Sequence, residues 1–168
     1  MKRILGVLLF GVPLVLCIAL GAGAQDFGPP PPLDEEYFGW LIGEWSGGSE
    51  APMGKTKDWM KCEMGLGGQF MLMHYKIESD MGTLTGMGAL TIGPDGNIKG
   101  LWMDSWRNIS HGTGTRDGDQ LKMVWESPMG QQTRIMKRVS DDKFVEDITM
   151  SGPDGSAKHA KSEMTRVK

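Results

Sequence analysis

Chemistry needs nucleophiles, metal ligands or convergent acids and bases, and this chain offers few of them. It has 3 His and 2 Cys in 168 residues. His74, His111 and His159 lie far apart, and no Cys pair has zinc spacing. Cys62 sits between Met60 and Met64, the setting of a small buried hydrophobe. No G-x-S-x-G elbow accompanies the Gly-rich run from His111 to Gly114, and no phosphate-binding glycine motif is present. The acids at Asp141-Asp142 and Glu146-Asp147 do not follow a calcium-loop pattern. Met71, Met73 and His74 form the densest soft-ligand group, which raises copper(I) as an alternative. Strand alternation, however, puts the two Met on one face and His74 on the other. The expectation is a protein with no catalytic residues and no cofactor.

Aromatic and thioether side chains are the more informative set. Trp102 and Trp106 alternate with Asp104, Met73 alternates with Tyr75, and Trp125 follows Met123 at the same spacing. Apolar walls with a few polar groups are what a small-molecule site requires. Met73, Tyr75, Trp102, Asp104, Trp106 and Trp125 are therefore the expected pocket residues. Asp104 would be buried with its neighbours and would need a partner, with Arg107 and Arg134 as candidates. It then serves as an internal salt bridge or strand-end cap, or as a polar anchor for ligand. A one-residue slip of register would invert these assignments.

The elements that position these residues are short strands. Gly-, Pro- and Asp-rich breakers recur from Gly47-Gly48 to Pro153-Asp154-Gly155, separated by segments of about 8 to 12 residues. Three turns carry Asp-Gly, a strong hairpin signal. The expected fold class is all-β: a single antiparallel up-and-down barrel of about ten strands, closed to remove its edges. One short helix is expected over Leu33 to Leu41, ending at Gly43, with Asp34, Glu35 and Glu36 at its acidic start.

Ahead of it, Lys2-Arg3, an apolar run from Ile4 to Leu20 and Ala22-Gly23-Ala24 make residues 1–24 a secretory signal peptide. Residues 25–32 are a Pro-rich linker, and 33–168 the barrel domain. The expected location is periplasmic or secreted, with no membrane span after cleavage. With 18 Lys+Arg against 21 Asp+Glu there is no basic stripe for nucleic acid. A hydrophobic content of 39% with six Trp excludes disorder for most of the chain. Gly is abundant, at 25 residues, but not every third residue, so collagen is excluded too. The sequon at Asn108-Ile109-Ser110 is read as a chance match.

Two resemblances add to this reading. Gly43-Glu44-Trp45 is similar to the Gly-x-Trp that opens lipocalin-like (calycin) barrels. That likeness implies that Trp45 closes one barrel end beneath a basic residue of the last strand, here Arg166. The run Gly67 to Phe70, the segment Gly88 to Gly96, the group Trp102 to Ser105, and Gly112 to Gly114 followed by Asp117-Gly118 resemble the bacterial domain-of-unknown-function family 1579 in order and spacing. The likeness covers roughly Leu33 to Val167 and implies a calycin-type barrel without an established activity. More distantly, the chain resembles the haem-binding nitrobindin barrels, which implies His159 as an iron ligand. On a period-two reading His159 instead shares the solvent face with Lys161 and Glu163. Together these features predict a binding protein for a small hydrophobic or amphipathic molecule. The alternatives are a haem or copper barrel, or a filled-core structural or interaction module.

Overall fold

A computed structural model describes residues 30–51 and 54–168. The expected signal peptide and most of the Pro-rich linker lie outside the described residues. Eleven strands follow a short helical segment: β1 (Gly43–Ala51), β2 (Gly54–Lys55), β3 (Lys57–Gly65), β4 (Phe70–Ser79), β5 (Gly82–Ile92), β6 (Ile98–Asp104), β7 (Ile109–Asp117), β8 (Gln120–Ser127), β9 (Gly130–Ser140), β10 (Lys143–Ser151) and β11 (Ala157–Arg166). Each strand from β3 onward pairs antiparallel with the next. The first and last barrel strands then meet, from Trp45 opposite Arg166 to Glu50 opposite Lys161. Ten strands thus close a barrel. The two-residue β2 only folds back on the tip of β1, which the sequence does not announce.

Alternation drives the closure. In β4, Met71, Met73 and Tyr75 are buried while their neighbours are not. In β8, Leu121, Met123 and Trp125 do the same. Side chains of successive residues point to opposite faces, so each strand supplies one inward row.

The helical segment is shorter than expected. An α-helical turn, α1 (Glu35–Phe38), gives way at Gly39 to a 3-10 turn through Leu41. Asp34 Oδ1 accepts the Glu36 backbone N–H at 3.0 Å, as an acidic residue at a helix start does. The helix does not extend because its following carbonyls are used elsewhere. Trp45 Nε1 donates to Leu41 O at 2.8 Å, and the Arg166 guanidinium donates to Ile42 O at 2.6 Å and Trp40 O at 2.9 Å.

This segment plugs one end of the barrel. Phe38 and Leu41 are buried there with Trp45, Phe144 and Met164. The turns at this end are acidic and polar, carrying Asp95, Asp117, Asp119, Asp141 and Asp142. Among the described residues, no helical segment covers the opposite end.

Candidate functional site: an open cavity in the barrel

The two ends of the barrel are built from different residues. At the plugged end, Arg166 Cζ stands 4.2 Å from the Trp45 ring centroid. Its Nε also donates to Asp141 O at 2.9 Å, so one guanidinium joins the plug, the β9–β10 turn and β11. Trp45 packs edge-on to Phe144, with centroids 4.9 Å apart. Gly43 at φ 125° admits the guanidinium, because a Cβ there would collide with Arg166 Nη1. The Trp45–Arg166 pair therefore stands where the calycin likeness implied, and its partners are main-chain carbonyls of the plug.

Between this floor and the open end lies a cavity of about 620 Å³. Met60, Leu90, Met123, Met136 and Phe144 line its depth. Met81, Trp106, Met129 and Lys158 line its mouth. A barrel of this strand number has interior room, and small inward residues here leave it unfilled.

All six expected pocket residues line this space. Trp102 lies over Gly86 and Gly88 of β5: a Cβ at Gly86 would fall 2.2 Å from its ring, and one at Gly88 3.1 Å. Trp125 lies over Gly100 of β6 and Gly112 of β7, where a Cβ at either would fall 2.7 Å from the indole. Glycine here serves close approach: two indoles lie against a wall stripped of side chains. Met73 Cε also reaches the open space at Gly88. Tyr75 meets Trp102 at a centroid distance of 6.2 Å and an interplanar angle of 72°.

Two expectations need correction. Trp106 is not on a strand with Trp102, because β6 ends at Asp104; it stands in the following turn, half-exposed at the mouth. Asp104 also forms no salt bridge with Arg107 or Arg134. Its carboxylate accepts the Trp106 N–H at 2.9 Å, and at 3.2 Å each the Asn108 N–H, the Asn108 Nδ2 and the Trp102 Nε1. The reason is local. An Asp at a strand end folds the next residues around its own oxygens more readily than it recruits a distant cation. Arg107 follows at φ 64°, exposed. Asp104 is thus the strand-end cap, and it locks the Trp102 indole beside it.

Sequence reasoning missed the other wall. Arg134 on β9 and Glu146 on β10 form a two-point ion pair, Nε–Oε1 at 2.6 Å and Nη2–Oε2 at 2.7 Å. Glu146 is only 2% exposed. Arg134 Cζ lies 5.6 Å from the Tyr75 ring centroid. Burial raises the Tyr75 hydroxyl pKa, with Arg134 opposing it. Asp58, on the inner face of β3, is buried at 6% exposure, and its Oδ1 has no partner among the described residues. Desolvation raises its pKa against the opposing pull of Thr56 and Arg134. Ser162, opposite Glu146 in register, is buried with an equally unpartnered Oγ. The signal was present: Phe144, Glu146 and Ile148 alternate, as do Gln132, Arg134 and Met136, so each inward row carries one charge.

The metal alternatives find little geometry. His159 is exposed on the outer face, its Nδ1 3.1 Å from Thr149 Oγ1, and cannot reach the cavity. Met71 and Met73 point inward while His74 faces Glu63 outside at 3.8 Å. Among the described residues no three His, Cys, Asp or Glu side chains gather as a metal site. Cys62 is buried near the plug and its thiol is pushed up to about 12 by burial, the opposite of an activated thiolate. No helix among the described residues is long and apolar enough to cross a membrane.

No protein-family model matches the chain, and no curated protein sequence matches it significantly. Solved structures do. An S-type phycobiliprotein lyase from Guillardia theta superposes with a TM-score of 0.58 at 13% identity, covering 80% of this chain and 92% of the other. The M. tuberculosis protein Rv2717c superposes with a TM-score of 0.61 at 14% identity, covering 80% of this chain and 97% of that one. At such identities the likeness is one of fold: this chain is a closed, antiparallel ten-stranded barrel of lipocalin-like architecture.

Proposed function

We propose that this protein is an exported, non-enzymatic barrel that binds a small hydrophobic or amphipathic molecule in its interior. The observation that carries the reading is the cavity of about 620 Å³, plugged at one end, open at the other and faced by Trp102, Trp125 and Tyr75. Its size falls in the range of small-molecule sites. A filled-core module would have no use for glycines that hold two indoles against a wall. One fold neighbour is a phycobiliprotein lyase, and the fold alone transfers no activity. Absence of catalysis here is supported by the groups themselves. Arg134 and Glu146 satisfy each other, Asp104 is consumed by its own turn, and Cys62 lies away from the cavity.

Export rests on residues 1–24, and kinship with domain-of-unknown-function family 1579 rests on the four motif groups alone. Edman sequencing of the protein recovered outside the cytoplasm should begin at Gln25. Protein found only in the cytoplasm, with its leader intact, would contradict export.

The binding reading is tested with N-phenylnaphthylamine, an uncharged dye that brightens in apolar surroundings. Saturable one-to-one binding with energy transfer from tryptophan is expected. No saturable binding would overturn it.

A further inference from the structure

The cavity has two unlike walls. Along β5 to β8 the wall is an aromatic panel: Trp102 and Trp125 lie flat over glycines, with no charged side chain until Asp104 at the rim. Across from it, β4, β9 and β10 supply Tyr75, Arg134 and Glu146. On this second side the two full charges are tied to each other through two short bonds. The other charged lining residues, Asp104 and Lys158, are at the mouth; one is negative with four N–H donors on it, the other positive and exposed. The lining charges balance. Among the described residues, no cation at depth is free to meet an anionic headgroup.

Tyr75 and the mutually neutralised Arg134–Glu146 pair face the cavity, whereas the unpartnered Asp58 Oδ1 and Ser162 Oγ lie outside its lining. Polar hydrogen-bonding capacity is therefore present without net charge. A free carboxylate or sulfonate placed here would meet Glu146 as readily as Arg134, and would lose its hydration without compensation. An uncharged polar edge loses less and can bond to such groups.

We propose that the site selects an uncharged, flat, ring-containing molecule, which lays one face on the Trp102–Trp125 panel and turns a donor–acceptor edge such as an amide, imide or phenol toward Tyr75, Arg134 and Glu146. Anionic amphiphiles, fatty acids included, are discriminated against. The inference rests on the binding reading above and deepens it.

A matched pair of dyes tests it: N-phenylnaphthylamine and its sulfonated form, anilinonaphthalene sulfonate, which share one ring system and differ by one negative charge. The full chain should bind the neutral dye at least about tenfold more tightly. Glu146→Gln leaves Arg134 with an unneutralised charge, and should improve the sulfonate relative to the neutral dye by about tenfold or more. Trp102→Leu should weaken the neutral dye about fivefold or more, through loss of the stacking face. Palmitate should fail to displace the neutral dye. Equal or tighter binding of the sulfonate by the unaltered protein, or displacement by palmitate, would overturn the charge selectivity while leaving the cavity reading intact. If neither dye binds, the cavity reading itself falls and this inference with it. Should Glu146→Gln not fold, the ratio measured on the unaltered protein decides alone.

Discussion

Arg166 does at residue level what a whole helix cap does elsewhere. Its guanidinium stacks on Trp45 and supplies three donors to the carbonyls of Trp40, Ile42 and Asp141. Replacing it with Leu removes both contributions and leaves carbonyls at a buried end unpaired. A loss of about 3 kcal/mol is expected. Lys should recover only part of this, because a single ammonium cannot fork to three carbonyls from one stacked plane. Urea unfolding of Arg166→Leu and Arg166→Lys checks the order; equal stability of all three proteins would contradict it.

Asp58 makes a prediction of the opposite sign. Burial raises its pKa in the folded state, so the folded protein holds the proton more tightly than the unfolded chain. Stability from this group is therefore greatest below its unfolded value of about 3.8 and falls as pH rises through the folded pKa. Thr56, Tyr75 and Arg134 oppose the shift and Glu146 reinforces it. Asp58→Asn should be more stable than the parent at pH values near neutrality and indistinguishable from it below about pH 4. Urea midpoints measured at both ends of that range decide it. A destabilised Asn variant at neutral pH would mean that the carboxylate is ionised and usefully bonded.

At the scale of elements, strands could be read from the sequence because burial alternates cleanly. Met71, Met73 and Tyr75 declare the inner face of β4, and Met123 and Trp125 that of β8. The turns were legible as well, since Asp95-Gly96 and Asp117-Gly118 stand where the chain reverses, with both glycines at positive φ. What alternation could not reveal is the register between neighbouring strands. Arg134 and Glu146 are twelve residues apart in sequence and adjacent only through the β9–β10 register. Asp104 was expected as a salt-bridge partner, a strand-end cap or a ligand anchor; its bonds are those of the cap, which depend on where β6 stops. Nor does alternation show what the glycines of β5 do: Gly86 and Gly88 make room for the Trp102 ring. Gly86→Leu should therefore force the indole off the wall. A cost of about 1–3 kcal/mol and loss of dye binding are expected. Unchanged binding by this variant would show that the Trp102 panel is not part of the site.

The whole molecule divides its labour along the barrel axis. The plugged end concentrates the fully buried side chains, among them Trp45, Phe38 and Phe144. The open end exposes Met81, Trp106 and Met129 on its turns, at 60%, 51% and 62%. Trp45→Ala should cost about 3–5 kcal/mol, as large-to-small changes in packed cores do. Trp106→Ala should change stability by about 0.5 kcal/mol or less while weakening ligand retention. Denaturation and dye titration on the same two variants separate the effects. A mouth that proved as important to folding as the floor would contradict this division. Closure through the β1–β11 seam is what lets one end stay open without exposing strand edges.

The central claim is that the cavity is kept for a guest, and native mass spectrometry of the protein purified from its own host tests it most directly. The account predicts a reproducible added mass, belonging to an uncharged ring compound, that departs on denaturation and is absent from Gly86→Leu. A bare polypeptide mass, together with failure to take up N-phenylnaphthylamine, would contradict it.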